Sequence, residues 1–270
     1  MQFPELITKL LYLYDQSMTK IIGGYPSYFT NSNHDTMFNF VVKKNRLLST
    51  SASIANDELF VIFNLSKYIN PKNIYVIGNS YGISSIALSI LFPKAKLVGI
   101  DKFRTEGIKF TNNILKKISA SNKVLQGESP KDNRKIIKEN FKNKKLDLVL
   151  IDGLHTNKAQ INDYNSIEPF LSKKSVVIFH DVINCKLTKS YHSLTKKYNL
   201  NNFLLNKTSS GMALSFKTKN LNNNLKNYLQ FLSDDFNTLL KLSNLYIKKS
   251  VKAKISKKVK PFKMPSHPQK

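Results

Sequence analysis

The chain has a single cysteine, Cys185, so no internal disulfide can form and a reducing, cytoplasmic setting is expected. It has no long apolar run. None approaches the roughly 18 residues that a membrane-spanning helix needs, and no transmembrane segment is expected. The opening "MQFPELITKLLYLYDQSMTK" places Pro4 and Glu5 early and offers no small-residue cleavage site, so it reads as a helix rather than a secretory signal. Tryptophan is absent, and arginine occurs only at Arg46, Arg104 and Arg134. Acids are scarce: 17 against 43 basic residues, a net charge of +26. Such an excess suits a polyanionic partner such as nucleic acid or an anionic membrane surface. Yet nearly all the basic residues are Lys, whereas specific phosphate recognition favours the arginine fork. Lys, Asn and Ile are also what AT-rich codons encode, so the charge alone leaves both origins open.

Enough is present to build a core. The chain carries 17 Phe and 12 Tyr, and 41% of it is hydrophobic. No internal repeat is evident. Helical spacing marks residues 4–20, and "ANDELFVIFNLSKYI" (55–69) reads as a second helix, with Asn56 or Asp57 at its start and Pro71 beyond its end. From residue 73 the pattern alternates. Strands are expected at 73–77, 96–101, 123–127, 146–152 and 175–181. Helices are expected at about 82–92, 104–118, 131–142, 158–171 and 187–198. The strands are continuously apolar, as when both faces are buried. This order predicts an α/β, doubly wound, mostly parallel sheet with right-handed crossovers. "NFLLNK" and "GMALSF" follow with only a short turn between them, which predicts an antiparallel pair at one edge. Leu221, Leu225, Leu229, Leu232, Phe236, Leu239 and Leu240 then mark an amphipathic helix that packs back on the domain or pairs with a second copy as a homo-oligomer. The predicted division is a helical or lid-forming extension (1–50), the α/β domain (51–218), a helix (219–246) and a basic tail (247–270). The last 30 residues hold ten Lys and no acid. The tail at 247–270 is expected to be disordered and able to touch nucleic acid.

Ligands of open α/β sheets bind at the carboxyl ends of the strands, near the point where strand order reverses. The expected strand ends here are "GNSYG" (78–82), Asp101, "GES" (127–129), "DGLH" (152–155) and His180–Asp181. All five deliver polar or acidic groups to one edge. Gly78 permits a tight turn, and Gly82 lets the next helix start against the strand, where its amides favour an anionic group. Asp101 lies 19 residues past Gly82 at a strand end, which suits an acid accepting ribose hydroxyls. The ligand expected is a nucleoside with a charged tail.

"IYVIGNSYGISSIALSILFPKAKLVGID" resembles the cofactor motifs of class I S-adenosylmethionine (SAM)-dependent methyltransferases. "LDLVLIDGLHTNKAQINDYNSIEPFLSKKSVVIFHDV" is similar to the branch that includes sugar and small-molecule O-methyltransferases related to macrocin O-methyltransferase. The resemblance covers about residues 50–216. It implies a Rossmann-like, seven-stranded sheet whose last strand is antiparallel, with SAM as cofactor. It implies Gly78 and Gly82 near the amino-acid moiety, Asp101 on the ribose, and Glu128 or Ser129 near the adenine; Asn79 and Ser80 are expected to bind the cofactor in place of the acid missing at Val76. It further implies a divalent metal, often Mg²⁺, held at Asp152, His180 and Asp181, with His155 as the base that takes the acceptor's proton. Two positions depart from the family pattern. Val76 stands where an acid is usual, and Ser80 replaces the middle glycine. His180 also brings nitrogen into a set that is otherwise oxygen, and imidazole suits transition metals better than Mg²⁺.

Methyl transfer is an in-line displacement at a sulfonium carbon, so the protein must align an acceptor oxygen, exclude water and take its proton. Asp152 and Asp181 end neighbouring strands and can converge there. The leading expectation is O-methylation of a small molecule or sugar. An RNA-directed methyltransferase is the charge-favoured alternative, but "DGLH" lacks the aromatic stretch on which a flipped base would stack. A non-catalytic nucleoside-binding relative would account for Val76 and Ser80. A nicotinamide-dependent oxidoreductase would need the G-x-G-x-x-G turn, which is absent. Asp163 is expected to be solvated, His34 and His192 to lie on the surface, and Tyr81 and Phe103 to pack the core or cleft. "GGYPSYFTNSNHD" (23–35) is the candidate lid.

Overall fold

The structure is a computed structural model that describes residues 1–23, 39–44, 46–48, 53–102, 105–142 and 144–233. His34, Phe103, the candidate lid beyond Gly23, the later part of the C-terminal helix and the basic tail lie outside these residues.

Seven strands form the main sheet in the order β6-β5-β4-β7-β8-β10-β9. They are β4 (Asn73–Ile77), β5 (Lys96–Asp101), β6 (Lys123–Gln126), β7 (Leu146–Ile151), β8 (Leu171–Phe179), β9 (Asn201–Leu204) and β10 (Ala213–Phe216). The first five named are parallel, while β10 runs antiparallel to both β8 and β9 and so closes the edge as a pair. Strand order reverses at β4, which pairs with β5 on one side and β7 on the other.

Alternate residues of each strand face opposite layers. Ile74, Val76, Leu148, Leu150, Val176 and Ile178 enter one core, together with helices α1 (Phe3–Asp15), α2 (Asn56–Leu65), α3 (Ile83–Leu91), α4 (Thr105–Ile118) and α8 (Asn223–Phe231). Tyr75, Ile77, Val98, Ile100, Val149, Ile151, Val177 and Phe179 enter the other, with α5 (Asn133–Phe141), α6 (Asn157–Ile167) and α7 (Thr188–Lys197). Burial on both faces explains the unbroken apolar runs of the strands. Each fully buried Val, Leu or Ile side chain contributes about 1.5–3 kcal/mol.

Beyond its first helix the N-terminal extension contains a small sheet. After α1 come β1 (Lys20–Gly23), β2 (Asn39–Lys43) and β3 (Arg46–Leu47), which form a separate antiparallel sheet. The β-branched pairs in "KIIG" and "NFVVK" suit strands, but each run is too short to show a period. Helix α6 stops earlier than its apolar spacing suggests. Pro169 converts the next turn to a 3-10 geometry, and β8 begins at Leu171. Among the described residues no helix is long and apolar enough to cross a membrane.

Candidate active site

The parallel strands end at one level because their backbone ladder continues one residue past each of them. Gly78 donates its amide to Ile100, Asp152 to Ile77, His180 to Ile151 and Gly127 to Asp101, at 2.8–3.1 Å. The residues that follow the strands are therefore brought together by backbone pairing.

The β4–α3 turn is held from beneath by an acid. Asp101 Oδ2 accepts the amides of Asn79 and Ser80, both at 2.8 Å. Gly78 and Gly82 take positive φ values of 87° and 83°, and Ser80 does the same at 48°. At Ser80 the sequence departs from glycine, but the backbone keeps the left-handed form. The Asn79 side chain is buried; it donates to Thr111 and to the Ser80 carbonyl and accepts from Ser85. It is fastened beneath the turn. Tyr81 is also a core residue, and its carbonyl accepts the Tyr14 hydroxyl. Val76 is fully buried.

At the next strand end, Glu128 pairs with Lys102. The Ser129 hydroxyl donates to Asp163, and the Asn133 amide bonds to Ser129 and Ser166 at 2.7 Å each. Asp163 is only 2% exposed, contrary to the solvated position expected of it. It lies on the inner side of α6, where Ser129 meets it. Burial drives its pKa up to about 6, and the Ser129 bond only partly opposes this.

The ends of β7 and β8 carry the densest polar cluster. Asp152 Oδ1 and Asp181 Oδ2 lie between two imidazoles. His180 Nδ1 is 3.2 Å from each, and His155 Nε2 is 3.2 and 3.4 Å from them. His155 is partly exposed, whereas the His180 side chain is 3% exposed. Asp181 adopts a left-handed φ of 55°, a strained conformation of the kind found at functional sites. Burial raises the Asp152 carboxyl, but the adjacent His180 and His155 more than offset this and hold it well below the usual carboxylate range. Hydrogen bonding to Asp152 lifts His155 above the ordinary imidazole value, and burial only partly opposes it. His180 is likewise pushed up: burial opposes the charged form, but Asp152 and Glu58 outweigh it.

Two residues in this cluster were not expected. Glu58, on α2, is fully buried and meets His180 Nε2 at 2.8 Å. Its other oxygen accepts the Ser210 amide at 3.0 Å and the Ser210 hydroxyl. Its position three residues after Ala55 reads as a helix-capping acid, and its Oε2 does accept the Ala55 amide at 3.0 Å. That local role hides the distant one. Ser210 carries no signal in sequence. His192 is exposed on α7, as expected.

The donor set fits a divalent metal. Asp152, His180 and Asp181 each offer a ligand atom, and these atoms lie within 4.8 Å of one another. His180 Nδ1 is buried, and although it is close to both carboxylates it makes no directed hydrogen bond to either. A second grouping, His155, Asp181 and Cys185, shares two residues of the cluster, and burial raises the Cys185 thiol to about 11.

Residues 76–182 match the family model described as "Methyltransferase domain". The strand order is that of a Rossmann-like, mostly parallel seven-stranded fold, and residues 76–182 are similar to methyltransferase domains. Solved structures share this fold. The O-methyltransferase TomG from Streptomyces achromogenes, solved in complex with SAM, is 13% identical with a TM-score of 0.53, over 78% of this chain and 89% of that one. Cofactor-bound Rv0187 from MTB is 15% identical with a TM-score of 0.52, over 80% and 91%. No curated protein matches the sequence.

Proposed function

We propose that the chain is a SAM-dependent methyltransferase that methylates a hydroxyl oxygen of a small molecule or sugar with the help of a divalent metal. One observation carries the reading: the nucleoside-type turn and the acid–imidazole cluster adjoin. An ideal Cβ on Gly78 falls 1.9 Å from the Asp152 carbonyl oxygen, so the two strand ends touch. A cofactor on the Gly78–Gly82 turn therefore lies directly beside Asp152.

In this reading Asp101 holds the turn and faces the ribose. The amides at the start of α3 face the amino-acid carboxylate. Glu128 and Ser129 border the adenine end. SAM, when bound, supplies an electrophilic methyl on a sulfonium leaving group. Asp152, His180 and Asp181 hold the metal, which when bound lowers the pKa of an acceptor hydroxyl. His155, over the same carboxylates, takes the acceptor's proton. Leu154 is 72% exposed beside His155 and offers an apolar contact to an acceptor. A cavity of about 220 Å³ lined by Ile7, Leu10, Ile21, Asn56, Leu59 and Ile83 lies at the start of α2 and α3 and suits a small, largely apolar body.

The test is binding of labelled SAM with S-adenosylhomocysteine as competitor, followed by methyl transfer to a panel of hydroxylated acceptors. Binding that is lost in Asp101→Ala supports the reading. No binding by the wild-type chain sinks it.

A further inference from the structure

The cluster at β7 and β8 is anchored by a residue from outside the strand-end motifs. Glu58 lies 122 positions before His180, and its carboxylate meets Nε2 at 2.8 Å in a fully buried setting. Ser210 and the Ala55 amide fix that carboxylate in turn. A carboxylate accepting from Nε2–H selects the tautomer whose lone pair sits on Nδ1, and it raises the basicity of that nitrogen. Nδ1 is buried, points between Asp152 and Asp181 at 3.2 Å from each, and has no directed hydrogen-bond partner. A protonated Nδ1 would need an acceptor in line with its N–H. Neither carboxylate is placed squarely for one, yet both favour positive charge at this point, so a bound ion can take the proton's place there.

We propose that Glu58 is a positioning residue that fixes His180 Nδ1 as a metal ligand, and that the Asp152–His180–Asp181 site therefore takes an imidazole-favouring transition ion in preference to Mg²⁺. The inference rests on the metal-assisted reading above and deepens it by naming the ion class. Mg²⁺ demands oxygen donors and keeps its waters, whereas Mn²⁺, Co²⁺ and Zn²⁺ accept mixed nitrogen and oxygen sets. The His155–Asp181–Cys185 grouping is the competing location, because thiolate also draws such ions.

The experiment is calorimetric titration of the chelator-stripped full chain with Co²⁺ and with Mg²⁺, alongside the visible spectrum of the Co²⁺ form. The expected result is Co²⁺ binding with nitrogen-ligand spectral features and Mg²⁺ binding at least about tenfold weaker. His180→Asp should lower the Co²⁺ to Mg²⁺ affinity ratio by about tenfold or more, because it restores an all-oxygen set. Glu58→Gln keeps the side-chain volume and should weaken Co²⁺ by about 10–100-fold. Cys185→Ser should leave both affinities unchanged. An unchanged ratio in His180→Asp, unchanged Co²⁺ affinity in a folded Glu58→Gln, or equal loss in Cys185→Ser overturns the proposal. S-adenosylhomocysteine binding is measured on the same samples. A chain that binds it but no metal loses the metal-assisted reading and this inference together. A chain that binds Mg²⁺ more tightly than Co²⁺ keeps the former and loses only the latter.

Discussion

Gly78 has no room for a side chain because the Asp152 carbonyl occupies it. A Cβ there would stand 1.9 Å from that oxygen and 2.6 Å from its carbon, both backbone atoms that the β4–β7 pairing holds in place. The φ of 87° adds a conformational penalty for any L side chain. Gly78→Ala should therefore cost about 3 kcal/mol or more in urea unfolding. At Gly82 the obstruction is the buried, β-branched Thr111 side chain rather than sheet backbone, and relieving it disturbs the Asn79–Thr111 hydrogen bond. Gly82→Ala should be the milder variant, and equal losses at the two sites would refute the distinction.

Ser80 holds a left-handed φ of 48° in a turn whose two neighbouring glycines do so without a Cβ. Its amide is pinned at 2.8 Å to Asp101, so the conformation is imposed by the turn. Ser80→Gly removes a steric cost of about 1–2 kcal/mol and adds unfolded-chain entropy of about 0.5–1 kcal/mol. The expected outcome is a gain of about 0.5 kcal/mol in urea unfolding, with SAM binding retained. A loss of stability would mean that the hydroxyl, rather than the backbone, matters here.

Much of the fold was legible because its strands are buried on both faces and its helices are punctuated. The strand at 73–77 and the one at 96–101 coincide with β4 and β5. Asp101, Asp152 and Asp181 were readable as strand-end acids, since the position after a parallel strand is itself the signal. Glu58 was not, because helix capping explains an acid at its position without reference to the site. Asp163 was misjudged for a related reason. Its helical spacing says which side of α6 it occupies, but not that Ser129 waits there to receive it. Both depend on contacts between distant segments, which periodicity does not encode. The sheet of β1, β2 and β3 was missed because strands of two to five residues are shorter than the pattern that would reveal them.

Asp163 should leave a signature in the pH dependence of stability. Its folded-state pKa of about 6 exceeds the roughly 3.9 of an unfolded aspartate. The folded chain thus holds this proton more tightly than the unfolded chain does. The stabilisation is fully present below about pH 3.9 and is lost as pH rises through about 6. The shift sets an upper limit of about 3 kcal/mol. Asp163→Asn keeps an acceptor for Ser129 and cannot ionise. The difference between wild type and variant, from urea unfolding at pH 4 to 7, should move by about 1–3 kcal/mol in the variant's favour as pH rises. Parallel curves would mean that the carboxyl ionises as freely in the fold as outside it.

His155 can serve as a base only when neutral, and its surroundings favour the charged form. Asp152 at 3.2 Å and Asp181 at 3.4 Å both stabilise the imidazolium, against a smaller opposing push from burial and from His180. In the metal-free chain an NMR titration should find this group above the ordinary imidazole value of about 6.5, and a cation on the same carboxylates should bring it down; activity limited by it should rise with pH along a limb set by the metal-bound form. His155→Gln should lower kcat by about 10²–10⁴-fold and abolish that limb. Binding of S-adenosylhomocysteine should stay the same, because the role proposed for His155 is toward the acceptor and not the cofactor. A variant that keeps the limb while losing rate would assign the titration to another group and leave His155 a positioning role. A variant that also loses S-adenosylhomocysteine binding would show that the β7 loop has collapsed, and Asp152→Asn would then be the substitution to compare.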